Sequence, residues 1–200
     1  MSGAATCTYD LCGPPPPDPS SHDPIVHTAA ELADHLSRAG NESQPISLRI
    51  SGVIPLGSLP PTGEAPTLLP WIEAGANRDS TRPPSVTLWG ERDDGLDAQK
   101  MGRIFFVIRG GQLRLEGLQV IGGFTPSNTG GCGYVQDAVL RVRGVRFFNC
   151  TVSEESGGGI MVTGRSKVTI EHSTFERCDV DRRNGMARGG TVVSDTPEDR

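Results

Sequence analysis

Five short stretches of this chain share one pattern: LRISG at 48–52, VTLWG at 86–90, LRLEG at 113–117, LRVRG at 140–144 and VTIEH at 168–172. Each runs apolar, polar, apolar, outward-facing, then a small or turn residue. Their starts are separated by 38, 27, 27 and 28 residues, and the long first step holds the Pro-rich insertion PLGSLPPTGEAPT. Repetition at a fixed period of this length marks a solenoid, in which each repeat is one structural unit that buries its apolar face only against its neighbours. A propeller blade needs about forty residues, and the asparagine and leucine spacing of a leucine-rich repeat is missing. A coil with three short apolar segments per turn fits, which is a parallel β-helix.

Stacking the copies aligns further columns. Val120, Phe147 and Phe175 fall in one, Gly123, Cys150 and Cys178 in a second, and Phe106, Gly133 and Ile160 in a third. In a β-helix like meets like along the axis, about 4.8 Å apart, so Phe147 is expected to touch Phe175 and Cys150 to face Cys178. Outward positions show a matching order: Glu116, Arg143 and Glu171 alternate in sign, as opposite-charge cross-strand pairs favour. Arg114 and Arg141 fall side by side in the neighbouring column.

The ends of the chain differ from this core. Residues 1–25, with Pro14–Pro17, Pro19 and Pro24, read as a disordered Pro-rich tail. HTAAELADHLSRAG follows as a helix over 28–40, with Thr28 as N-cap, Glu31 as its capping-box partner and Gly40 as the stop. Leu32 and Leu36 share one face of it, so the helix caps the first rung. The β-helix domain then spans 26–195, and GGTVVSDTPEDR begins a sixth rung with no cap. That open rung reads as a truncation or as an edge that associates with another chain. The expected fold is all-β: a single-stranded right-handed parallel β-helix of about five rungs with an N-terminal capping helix.

Composition bounds the function. The 26 Gly and 16 Pro among 200 residues demand frequent turns. A formal charge of −5 leaves no basic footprint, so a nucleic-acid partner is not expected. No transmembrane segment is expected, and the amino terminus lacks the basic start and apolar run of a secretion signal.

With the rungs aligned, GGGI at 157–160 and GGTV at 189–192 resemble the GGA[ILV] motif of the polymorphic outer membrane proteins of chlamydiae. FFNC at 147–150 and FERC at 175–178 resemble their FxxN motif, with Cys150 and Cys178 where asparagine stands. Those repeats lie on a right-handed parallel β-helix of the pectin-lyase-like type. The likeness covers about 104–193, and the likeness to β-helices in general about 25–195. It implies an extracellular or cell-surface place and a non-catalytic, adhesin-like scaffold presenting turns to a glycan or protein surface. The alternative is a polysaccharide lyase or glycoside hydrolase acting on acidic polysaccharide, which other proteins of this fold resemble.

Such chemistry needs clustered carboxylates. The candidates are Asp93, Asp94 and Asp97, Glu154 and Glu155, and Asp179 and Asp181 beside Arg182 and Arg183. Most read as solvated turns; Asp179, Asp181, Arg182 and Arg183 are the best placed to contact an anionic ligand. His172 reads as a surface turn residue, and His22, His27 and His35 have no partners at metal-ligand spacing. Exposed Arg141, Arg143 and Arg146 form a basic stripe whose charge is balanced by Glu116 and Glu171. Neither catalytic residues nor a cofactor or metal is assigned. Cys150 and Cys178 are expected either as stacked reduced thiols or as a disulfide, and Cys132 belongs to neither column.

Overall fold

The computed structural model describes residues 18–42, 45–59, 67–70, 72–73, 84–126, 129–153, 157–180 and 192–195. Strands from successive turns pair in parallel and build a β-solenoid of about five turns with three sides. The first side runs Ile25–Val26, Ile46–Ile50, Ser85–Trp89, Gln112–Glu116, Val139–Arg143 and Lys167–Glu171. The second runs Val53–Pro55, Gly95–Asp97, Gln119–Ile121, Arg146–Phe148 and Thr174–Glu176. The third runs Ile72–Glu73, Phe105–Ile108, Gly133–Gln136, Ile160–Thr163 and Val192–Asp195. A narrow ladder of Phe124–Thr125, Thr151–Val152 and Asp179–Val180 bridges the second side to the third.

The core follows from this stacking. Leu113, Leu140 and Val168 are ladder partners, as are Leu115, Val142 and Ile170, and Val120, Phe147 and Phe175. Phe147 and Phe175 lie face to face with ring centroids 4.5 Å apart. Each buried side chain of this size contributes about 1.5–3 kcal/mol of transfer free energy, so no single short strand is stable without the turn beside it. The outward Glu116, Arg143 and Glu171 are also in register.

Two columns differ from the sequence reading. Ile46 pairs with Val86 and Leu48 with Leu88, so the first step is two residues longer than LRISG laid over VTLWG implies. A shift of two keeps the same face inward, and apolar alternation does not distinguish the two registers. On the third side Phe105, rather than Phe106, stands over Gly133 and Ile160. Phe106 instead stacks on Tyr134, with centroids 4.8 Å apart.

The helix occupies Ala29–Glu42. Thr28 Oγ1 accepts the Glu31 N–H at 3.2 Å, and Glu31 Oε2 accepts the Thr28 N–H at 3.2 Å and the His27 N–H at 3.0 Å. That is the expected capping box. The helix does not stop at Gly40, since a glycine weakens a helix by about 1 kcal/mol without ending it. Ala29, Leu32 and Leu36 are buried against the first turn. At the far end no such cover is seen among the described residues: Val168, Ile170 and Phe175 are only partly buried where Leu140, Val142 and Phe147 are fully so.

Residues 18–25 are not free of the fold. Ile25 and Val26 add a strand to the first side, and Asp18 pairs with Arg114. Asp23 Oδ2 accepts hydrogen bonds from Ser47 Oγ at 2.5 Å, Trp89 Nε1 at 2.8 Å and the Ser20 N–H at 2.8 Å. Partial burial pushes the Asp23 carboxyl up, but these three donors outweigh it and hold the carboxyl below its ordinary range. A depressed carboxyl stabilises the docked segment above the ordinary carboxylate pKa of about 4 and loses that contribution as pH falls through its own value. In a Trp71→Phe background, Trp89 emission is expected to change on acidification below about pH 4. Asp23→Ala should give the acid-like spectrum at neutral pH, with global stability lowered by no more than about 1 kcal/mol.

The corner between the first and second sides depends on left-handed backbone. Gly117 has φ +69°, Gly144 φ +63° and His172 φ +50°. A second corner column carries Gly122, Asn149 and Arg177 at +68°, +58° and +53°. A residue with a Cβ is disfavoured there by about 1–2 kcal/mol, least so for short polar side chains such as asparagine. A methyl at Gly144 would meet nothing nearer than 3.9 Å, so space is not the constraint. Gly144→Ala is expected to lower the unfolding free energy by about 1–2 kcal/mol, and His172→Gly to leave it equal or higher. Denaturant melts of the two variants check this; a neutral Gly144→Ala would contradict the corner conformation.

Candidate functional site

The row of corner residues leaves a hollow on the outer surface. Gly90, Gly117 and Gly144 place no side chain there, and the groove above them, about 1000 Å³, runs along the solenoid axis to His172. Buried Leu118 and Val145 line it, with Arg92, Asp93, Gln119, Arg146, Thr174 and Glu176 around it. Gln119 Nε2 donates to the Arg92 carbonyl at 3.0 Å.

Arg146 and Glu176 form the most organised pair in the groove. Phe148 and Glu176 are ladder partners, so Arg146, two residues earlier, meets Glu176 on the diagonal. Arg146 Nε donates to Glu176 Oε1 at 3.0 Å and Nη2 to Oε2 at 2.7 Å. The hydrogen bonds raise the Arg146 pKa and lower that of Glu176. Arg146 and Arg177 also lie over the Phe148 ring, at 5.1 and 5.5 Å. Both members of the ion pair are open to solvent, so it orders the groove wall more than it stabilises the fold.

The expected basic stripe is therefore divided. Arg146 belongs to the groove, and its partner is Glu176 rather than Glu116 or Glu171. Arg141 and Arg143 stand on the outer face of the first side, where they line a smaller hollow of about 290 Å³ with Arg114, Lys167, Thr169 and Glu171. Arg114 is held by Asp18 and by Glu116 at 2.8 Å, and Arg143 lies 3.9 Å from Glu116.

The carboxylates named from sequence scatter. Asp93 lines the groove. Asp94 is occupied by the backbone, accepting the Gly52 N–H at 2.6 Å and the Glu91 N–H at 2.7 Å. Asp97 accepts the Gln99 N–H at 2.8 Å. Asp179 begins the last strand of the narrow ladder and is exposed. Asp181, Arg182, Arg183, Glu154 and Glu155 lie outside the described residues. His172 lines the groove, whereas His22 lies 3.4 Å from Ser21 Oγ and His27 contributes its backbone to the helix cap. Among the described residues, no three His, Cys, Asp or Glu side chains converge as a metal ligand set.

Cys150 is bonded to Cys132, with Cα atoms 5.2 Å apart, and Cys178 is free and buried. Cys150 and Cys178 stand on adjacent rungs as expected, but they are neither bonded to each other nor both reduced: the partner of Cys150 is Cys132, which lies outside their column. Gly123 explains it: a Cβ there would lie 2.6 Å from Cys132 Sγ, so the sulfur of Cys132 fills the space that Gly123 leaves empty. Cys132 immediately precedes the third side, and its backbone packs directly against Gly123.

Arg103 gave no sequence signal. It is 1% exposed; its Nε donates to the Gly130 carbonyl at 2.9 Å and its Nη2 to the Thr129 carbonyl. The guanidinium lies 5.3 Å from each of the stacked Phe106 and Tyr134 rings. Burial lowers its pKa to about 10, which leaves it charged at neutral pH. It clamps the turn before Gly133.

No helix of the described residues is long and apolar enough to cross a membrane. No family model matches the chain, and no curated protein or solved structure matches it significantly.

Proposed function

We propose that this chain is a non-catalytic β-solenoid scaffold that presents its outer groove and turns to a partner. The observation that carries this reading is the use already made of the carboxylates around the groove. Asp94 and Asp97 hold turns, and Glu176 is engaged by both nitrogens of Arg146. Among the described residues that line the groove, Asp93 alone is left, and it does not supply the two cooperating carboxylates that glycoside hydrolysis uses. The likeness to the chlamydial surface repeats supports the same reading, and a glycan or protein surface is the class of partner it suggests.

The groove itself favours a second reading. An open channel carrying Arg92, Arg146, His172, Asp93 and Glu176 suits an acidic polysaccharide, as an enzyme of the pectin-lyase-like type would need. Incubation with polygalacturonate and calcium separates the two: the scaffold releases no unsaturated product and no new reducing ends. Turnover that is lost in both His172→Ala and Glu176→Gln would overturn the scaffold reading and place the chemistry in the groove.

The half-buried last turn adds a prediction about association. Among the described residues the first and second sides end on partly buried strands, and such an edge is a template for another strand. Light scattering is expected to show concentration-dependent association, reduced when Phe175 and Ile170 are replaced together by serine and lysine. A monomer that persists at high concentration would remove the last turn as an interface.

A further inference from the structure

The three described cysteines form a row along the solenoid axis. The Thr151 N–H donates to the Gly123 carbonyl at 2.9 Å and the Asp179 N–H to the Cys150 carbonyl at 3.1 Å, so Gly123, Cys150 and Cys178 occupy successive rungs. Cys132 Sγ fills the place of the missing Gly123 side chain. Its bond to Cys150 therefore points toward one neighbouring rung, while the free thiol of Cys178 lies on the opposite one. Cys178 Sγ is 3.7 Å from the carbonyl oxygen of Phe147, the residue three before Cys150. Attack on a disulfide proceeds with the entering and leaving sulfurs on opposite sides of the central one, and the row Cys178, Cys150, Cys132 has that order.

We infer that Cys178 is the resolving thiol of a relay, and that the Cys132–Cys150 disulfide exchanges within the folded chain to Cys150–Cys178. The Cys178 thiolate forms the new S–S bond to Cys150 Sγ. The electron pair of the old bond leaves with Cys132 Sγ, and the proton lost by Cys178 is taken up by Cys132 through solvent. No oxidant or reductant is consumed. The charged groups that act on the attacking thiol are Lys100, whose Nζ is hydrogen-bonded to the Asn149 carbonyl and Thr151 Oγ1, and Asp179, which opposes it; Asp97 acts on Lys100. Burial pushes the Cys178 thiol up, which lowers its thiolate fraction and slows its attack at neutral pH. Exchange moves the covalent staple from the interior to the last described turn, where Val168, Ile170 and Phe175 are only partly buried. The relay stands on the cysteine geometry and is independent of the scaffold reading.

The test uses the full chain carrying Cys7→Ser and Cys12→Ser, so that only the three cysteines of the row remain. The protein is held without denaturant or redox reagent at pH 6.5, 7.5 and 8.5, quenched in acid, alkylated and mapped by mass spectrometry. The expected result is a Cys150–Cys178 peptide appearing with alkylated Cys132, its initial rate rising about tenfold per pH unit while the thiol remains below its pKa. A Cys132–Cys150 bond that stays intact at pH 8.5 while Cys178 remains alkylatable overturns the relay, as does formation of Cys132–Cys178 instead. In Cys132→Ser, placed in a glutathione redox buffer, Cys150 and Cys178 should form an intramolecular disulfide; two persistently free thiols in the folded variant would also overturn it.

Discussion

The structure depends on one constraint: a short parallel strand is stable only when the next turn lays an equivalent strand on it in register. Leu140 and Val142 are buried because Leu113 and Leu115 lie on one side and Val168 and Ile170 on the other. Every other feature serves that register. Left-handed corner residues bring the chain round in one rung height, the Ala29–Glu42 helix supplies the missing neighbour of the first turn, and the outward Glu116, Arg143 and Glu171 column alternates in charge along the stack.

The turns from Ser85 onward were legible because their steps are constant, at 27 and 28 residues, and the columns of Leu, Val and Phe fall out of alignment alone. The first step was not, because a two-residue shift leaves the apolar face unchanged and the Pro-rich insertion removes the period. Phe106 was misplaced for a related reason. FFVI is apolar on both faces of its strand, so nothing local says which phenylalanine points inward.

The candidate site was legible only in part. His172 and Asp93 were named from sequence, but what gathers them is a hollow left by absent side chains. The Arg146–Glu176 pair is diagonal, whereas sequence columns show only direct neighbours. The disulfide escaped because Cys132 and Cys150 stand at different points of the turn, and column alignment represents only contacts between residues at the same point. Asp23 was hidden by its setting in a Pro-rich segment, although its hydrogen bonds tie that segment to two successive strands.

The length of the first turn has a consequence for how such a chain changes over time. Ile46 and Val86 are ladder neighbours although 40 residues separate them, against 27 between Val86 and Leu113. Both pairs are parallel ladder neighbours, so the surplus residues lie between strands in the sequence and the register of the rungs is kept. Connections between strands are therefore places where new segments can be grafted and lost while the core column is kept, and a lineage of such proteins can diverge in its loops far faster than in its inward residues.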